Sequence, residues 1–84
     1  MSNNDEIFAR VSAVVRETFH VDSRTAVTRE TTSADIDGWD SLAHSILMMG
    51  IEDEFSVDLP SDKMFGLGNV GELTDLVRDA MSRG

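Results

Sequence analysis

The chain has 84 residues and a mass of 9.2 kDa, enough for one domain (1–84) but not two, since so short a chain buries only about 60% of its unfolded surface. Hydrophobic residues at 40% and charged residues at 27% exclude a disordered tail, and the absence of cysteine excludes a disulfide framework and a thiolate metal site. Sixteen acidic against seven basic residues leave a net charge of −9, which repels phosphate backbones and anionic lipid, so no nucleic acid and no membrane is expected as a partner.

The opening MSNNDEIFAR carries neither a basic n-region nor an apolar h-region. No apolar run approaches the roughly 20 residues that span a bilayer, so a cytoplasmic setting is expected. Ile7, Val11, Val14, Val15 and Thr18 share one helical face, after Asn3 or Asn4 as N-cap and the acidic pair Asp5 and Glu6, and they predict a first helix over about 4–18. From Phe19 to Asp40 the periodicity dissolves. So long a loop is usually functional or disordered, and Val21, Val27 and Ile36 favour an ordered connection pinned to the core.

Asp40 before the Leu-, Met-, Ala- and Glu-rich run from Ser41 to Phe55 reads as an N-cap and a helix of 15 residues. At 1.5 Å per residue the helix is about 22 Å long, comparable to the whole domain, which puts Ser41 at the surface. Pro60 suits a helix start, and Met64, Phe65 and Leu67 predict a short helix that Gly66 and Gly68 interrupt. Asn69-Val70-Gly71-Glu72 resembles a capping box before the stripe Val70, Leu73, Leu76, Val77, Ala80 and Met81, so the last helix is expected over about 70–82. No segment alternates apolar and polar residues. The expected fold is all-α, a small four-helix bundle of three main helices and one short one with a long first loop, acting as a monomer.

From Glu30 to Asp62 there are nine acidic residues and no Lys or Arg, while the remainder carries seven of each sign. The whole net charge therefore lies in the middle of the chain, where a basic partner is expected or where the acids only solvate the surface.

Within it, Gly38-Trp39-Asp40-Ser41-Leu42 is the candidate site, open to three readings. A hydrolytic one is superficially similar to the Gly-Asp-Ser-Leu hydrolases. It fails because Trp39 splits the Gly-Asp pair, no sheet is predicted, and His44 at a helix start reads as a solvated side chain rather than a base. A calcium loop needs a bidentate glutamate six residues after its glycine, and His44 stands there; weak divalent binding by Asp35, Asp37 and Asp40 is expected, with no dedicated metal site. The third reading makes Ser41 an attachment point, because a phosphate diester at an exposed helix N-terminus meets free N–H groups and the positive dipole end.

Asp40-Ser41-Leu42 heading a helix that ends Glu52-Asp53-Glu54-Phe55, followed by Leu59-Pro60, resembles the acyl carrier protein family over essentially the whole chain. The resemblance implies that Ser41 carries a covalent 4′-phosphopantetheine derived from coenzyme A. It further implies that Asp40 helps a phosphopantetheinyl transferase organise its magnesium ion, and that Leu42 packs against partner enzymes. The chain would then carry acyl or aminoacyl thioesters and would not itself be an enzyme. Partners would be the transferase, an adenylating or acyltransferase loading enzyme, and downstream enzymes of fatty-acid, polyketide or related specialised biosynthesis. An unmodified helical interaction module, or an aminoacyl or peptidyl carrier of a non-ribosomal-type pathway, is the alternative.

The second helix carries two apolar stripes. Leu47, Met48, Ile51 and Phe55 are expected in the core, with Gly50 permitting close helix packing. Leu42, Ile46 and Met49 are expected to be partly exposed for docking, flanked by Asp40, Glu52, Asp53 and Glu54. Fatty-acid synthase carriers place acidic residues where Ala43, His44, Ser45 and Ile46 stand, so the resemblance points to a discrete carrier of a specialised pathway. Trp39 is expected to plug the loop against the bundle.

Overall fold

Acidic Asp5 and Glu6 in the first turn of α1 (Asn4–Phe19) and Arg16 in the last complement the helix dipole. The chain then runs, in a computed structural model that describes residues 4–22 and 24–83, through a single 3-10 turn at Ser33–Asp35 to α2 (Ser41–Phe55), α3 (Ser61–Met64) and α4 (Val70–Arg83). The protein is all-α with four helices, and no strand occurs among the described residues. Asn4 is the first helical residue rather than a cap, and its Oδ1 accepts from Arg78 at 3.4 Å; Asn3 lies outside the described residues.

α1 packs against both α2 and α4. The core joins Ile7, Val11 and Val15 of α1, Leu47, Met48, Ile51 and Phe55 of α2, and Val70, Leu73, Leu76, Val77 and Ala80 of α4. Apart from Ala80, each of these side chains contributes about 1.5–3 kcal/mol on burial. Gly50 lets α1 approach α2: a Cβ there would stand 3.3 Å from Val14 Cγ1. Thr74, one turn after Val70 on the same face, is fully buried, its hydroxyl donating to the Val70 carbonyl at 2.9 Å.

The described residues of the long loop meet the bundle through the apolar residues picked out in the sequence, and hydrogen bonds hold them as well. Val27 and Ile36 are buried and Val21 half-buried. Arg16 donates to the carbonyls of Asp22 (3.2 Å) and Thr25 (2.7 Å). The first N–H groups of α4, which lack intrahelical partners, bond loop carbonyls instead, Val70 to Thr31 at 2.9 Å and Gly71 to Arg29 at 2.8 Å. Glycine allows that approach without displacement, since a Cβ at position 71 would lie 3.0 Å from the Arg29 carbonyl oxygen. Asn69 Oδ1 accepts from Glu72 N at 2.8 Å, the Asn69 half of the expected capping box.

α2 ends at Ser56, left-handed at φ 54, where the Ser56 and Val57 N–H groups both return to the Glu52 carbonyl. A left-handed turn at a residue with a Cβ costs about 1 kcal/mol that glycine avoids. Ser56 is exposed, so Ser56→Gly should stabilise the protein by about 1 kcal/mol and raise the thermal midpoint by roughly 4–8 °C in a thermal melt.

Candidate functional site

Asp40 is extended (φ −101, ψ −174) and caps α2 through Oδ1, which accepts from Ala43 N at 2.8 Å. Its backbone oxygen accepts from His44 N at 2.8 Å. Gly38, at φ +89, turns the chain toward the helix, and Asp40 N donates to the Gly38 carbonyl at 3.0 Å. The first residue of the capped helix is Ser41, whose side chain is exposed. It stands at the rim of a cavity of about 280 Å³ that lies between the start of α2 and the turn linking α3 to α4, walled by Trp39, His44, Phe65, Leu67 and Leu73.

His44, read from sequence as solvated, is half-buried and occupied at both ring nitrogens: Trp39 Nε1 donates to Nδ1 at 2.9 Å, and Nε2 meets the Met64 carbonyl at 2.6 Å. Neither nitrogen is free to activate Ser41. Trp39 does close the loop against the bundle, stacking on Phe19 with ring centroids 5.0 Å apart. Its bond to His44 is the part sequence reasoning missed; the available signal was an indole, a donor without acceptor capacity, five residues before a histidine.

The three aspartates considered for a divalent ion do not converge. Asp35 accepts from Thr32 N at 2.9 Å and Asp40 from Ala43 N. No group of three or more metal-ligating side chains occurs among the described residues.

On the outer side of α2, Leu42, Ile46 and Met49 are 73%, 53% and 65% exposed, while Leu47, Met48, Ile51 and Phe55 are buried. Phe65, expected to help close the short helix, instead follows it and is 63% exposed beside His44. The flanking acids are not equivalent. Asp53 is exposed. Glu52, expected at the docking rim, is half-buried, with its carboxylate accepting from Leu59 N at 2.9 Å. Glu54 pairs with Arg10 of α1 (Nε to Oε2, 3.0 Å), whose guanidinium lies 4.4 Å over the Phe55 ring.

The family model for the phosphopantetheine attachment site matches residues 9–77. The chain is 32% identical over 75 residues to an acyl carrier protein of Guillardia theta, covering 89% of this chain and 91% of that one. It is 35% identical over 72 residues to the acyl carrier protein MbtL of Mycobacterium sp. (strain MCS), covering 86% and 80%. The solution structure of a holo acyl carrier protein from Geobacter metallireducens superposes with a TM-score of 0.81 at 35% identity, over 92% of this chain and 87% of that one.

With a net charge of −9, sodium chloride should raise the thermal midpoint by screening. Because no cluster gathers the carboxylates, magnesium at matched ionic strength should add little beyond that shift. Thermal melts in the two salts check both statements; a midpoint insensitive to both would refute a self-repelling surface.

Proposed function

Since the chain belongs to the acyl carrier protein family, whose members carry acyl groups on covalently attached 4′-phosphopantetheine, we propose that Ser41 is the residue holding that arm. One observation carries the assignment: Ser41 presents an exposed hydroxyl as the first residue of a capped helix, at the rim of a cavity. A phosphodiester on this oxygen would lie at the positive end of the α2 dipole, beside first-turn N–H groups. When attached, the arm supplies the thiol that this cysteine-free chain lacks, and acyl groups are held on it as thioesters.

The chain's own residues cap, orient and dock. Asp40 holds the first turn of α2 and, in the proposal, offers its exposed carboxylate to the magnesium-bound complex of the phosphopantetheinyl transferase. Leu42, Ile46 and Met49 form the apolar centre of the contact with partner enzymes, and Asp53 belongs to its acidic rim. No residue of the chain is assigned a catalytic role, a reading supported by the engagement of both His44 nitrogens. The cargo is proposed to come from a dedicated adenylating or acyl-transferring enzyme of a specialised pathway. Support for that choice is Ala43, His44, Ser45 and Ile46 on the half of α2 where fatty-acid carriers are acidic. The cytoplasm is the proposed setting, supported by the cysteine-free composition; no helix among the described residues is long and apolar enough to cross a membrane.

Intact mass after incubation with coenzyme A, magnesium and a broad-specificity transferase should rise by one phosphopantetheine, and Ser41→Ala should abolish the gain. A gain that survives Ser41→Ala would displace the assignment, and no gain with several transferases would favour an unmodified interaction module.

Docking makes a separate prediction. Ile46 is 53% exposed, so Ile46→Glu should fold, with a stability change within about 0.5 kcal/mol. Transfer to or from the cognate partner should fall about tenfold, as expected for a central apolar contact. Asp53→Asn at the rim should change capture by less than about threefold and reduce its salt dependence. Rates of loading of the modified variants decide it; normal loading of Ile46→Glu would refute the apolar docking centre.

A further inference from the structure

One side chain ties α2 to two other parts of the chain. An indole nitrogen only donates, so the 2.9 Å bond from Trp39 Nε1 makes His44 Nδ1 the acceptor and leaves the ring proton on Nε2. That nitrogen donates to the Met64 carbonyl at the end of α3. The imidazole also stacks against Trp39 (centroids 6.0 Å, interplanar 21°) and meets Phe65 at 5.4 Å. Trp39 rests in turn on Phe19 at the end of α1. Four rings thus run from α1 past the start of α2 to the turn after α3, with His44 hydrogen-bonded on both sides.

Trp39 stands immediately before Asp40 and Ser41, and beyond the Gly38 turn nothing else so bulky anchors this entry to the helix. The indole therefore sets the direction from which the chain reaches Asp40, the cap on which the exposed position of Ser41 depends. His44 is anchored at the same place through its backbone, its N–H donating to the Asp40 carbonyl. Backbone and side chain together close a loop of bonds around Trp39-Asp40-Ser41.

We infer that His44 is a positioning residue for the modification of Ser41, holding Trp39, and through it the Gly38–Ser41 entry, in the geometry the phosphopantetheinyl transferase receives. This rests on Ser41 being the attachment residue. The Trp39 bond does the positioning; the Met64 bond ties His44 to the end of α3 and is dispensable for transfer. No proton moves through His44.

Substitutions separate the two bonds. His44→Ala removes both. His44→Asn sets an amide oxygen near the place of Nδ1 and keeps an acceptor for Trp39, whereas His44→Gln reaches the place of Nε2 and keeps the donor to Met64. Trp39→Phe keeps a stacked ring without the donor, and it carries the test should His44→Ala fail to fold. Leu76→Ala, on the buried face of α4, is a destabilised control. The readouts are kcat and KM for transfer of phosphopantetheine from coenzyme A by a broad-specificity transferase, and acrylamide quenching of Trp39, the single tryptophan, in the unmodified protein.

We expect kcat/KM to fall about fivefold in His44→Ala, His44→Gln and Trp39→Phe, the factor equivalent to one net hydrogen bond, and to stay within about twofold in His44→Asn and Leu76→Ala. The double variant Trp39→Phe/His44→Ala should be no worse than either single one, since both remove the same bond. Quenching should rise in His44→Ala and His44→Gln and not in His44→Asn. Equal losses in Leu76→Ala and His44→Ala, additive losses in the double variant, or no rescue by His44→Asn would each overturn the inference. A wild-type chain that takes up no arm overturns the attachment reading and this inference with it, whereas a modified wild type beside an unimpaired His44→Ala overturns this inference alone.

Discussion

A chain this small wraps a single core, and α2 has apolar side chains on more of its circumference than that core can cover. α1 packs on both α2 and α4, so α2 is enclosed from one side. At 3.6 residues per turn, the stripe of α2 buried in the core leaves Leu42, Ile46 and Met49 facing outward. Repacking cannot hide them without surrendering Leu47, Met48, Ile51 or Phe55, which are larger contributors to stability because they are fully enclosed. The outer stripe is therefore a standing exposed surface beginning one residue from Ser41. This leaves an exposed apolar surface beside Ser41 without requiring a conformational change to reveal it.

The long connection between α1 and α2 brings the entry of α2 to its place by borrowing unsatisfied backbone groups. A helix leaves its first N–H groups without partners, and α4 gives two of them to the carbonyls of Arg29 and Thr31. Arg29 adds an ion pair with Asp75 of α4 at 3.1 Å, and Arg16 takes up two more loop carbonyls. Such bonds do not require a hydrophobic pattern, so a segment without periodicity can still be held. From there Trp39 and His44 continue the attachment into α2.

Charge shows how folding changes a count made along the chain. The stretch from Glu30 to Asp62 has no cation of its own, yet Arg10, more than forty positions away from Glu54, comes to lie across that carboxylate and the Phe55 ring. Glu52 is turned inward to the Leu59 N–H. Two of the acids nearest the outer stripe thus hold structural contacts, so fewer free carboxylates flank it than the composition implies, exposed Asp53 among them.

The sequence by itself determined the helices whose apolar spacing is long and regular, including both ends of α2, because Asp40 announces the cap and the Leu- and Met-rich run has one consistent face. Ser41 was legible for the same reason, since the first residue of a capped surface helix has nowhere to go but outward, and the Asp-Ser-Leu resemblance gave that position its chemistry. The end of α2 at Ser56 carried no glycine signal, because a left-handed turn there is imposed by hydrogen bonds to Glu52 rather than by residue preference. Tertiary structure alone decided the role of His44, the pairing of Glu54 with Arg10, the inward turn of Glu52 and the close fit of Gly71 under Arg29. Each of these joins groups from segments that have no common period. A hydrogen bond or ion pair between such segments depends on where the packed core sets the two backbones, a distance that neither local sequence contains.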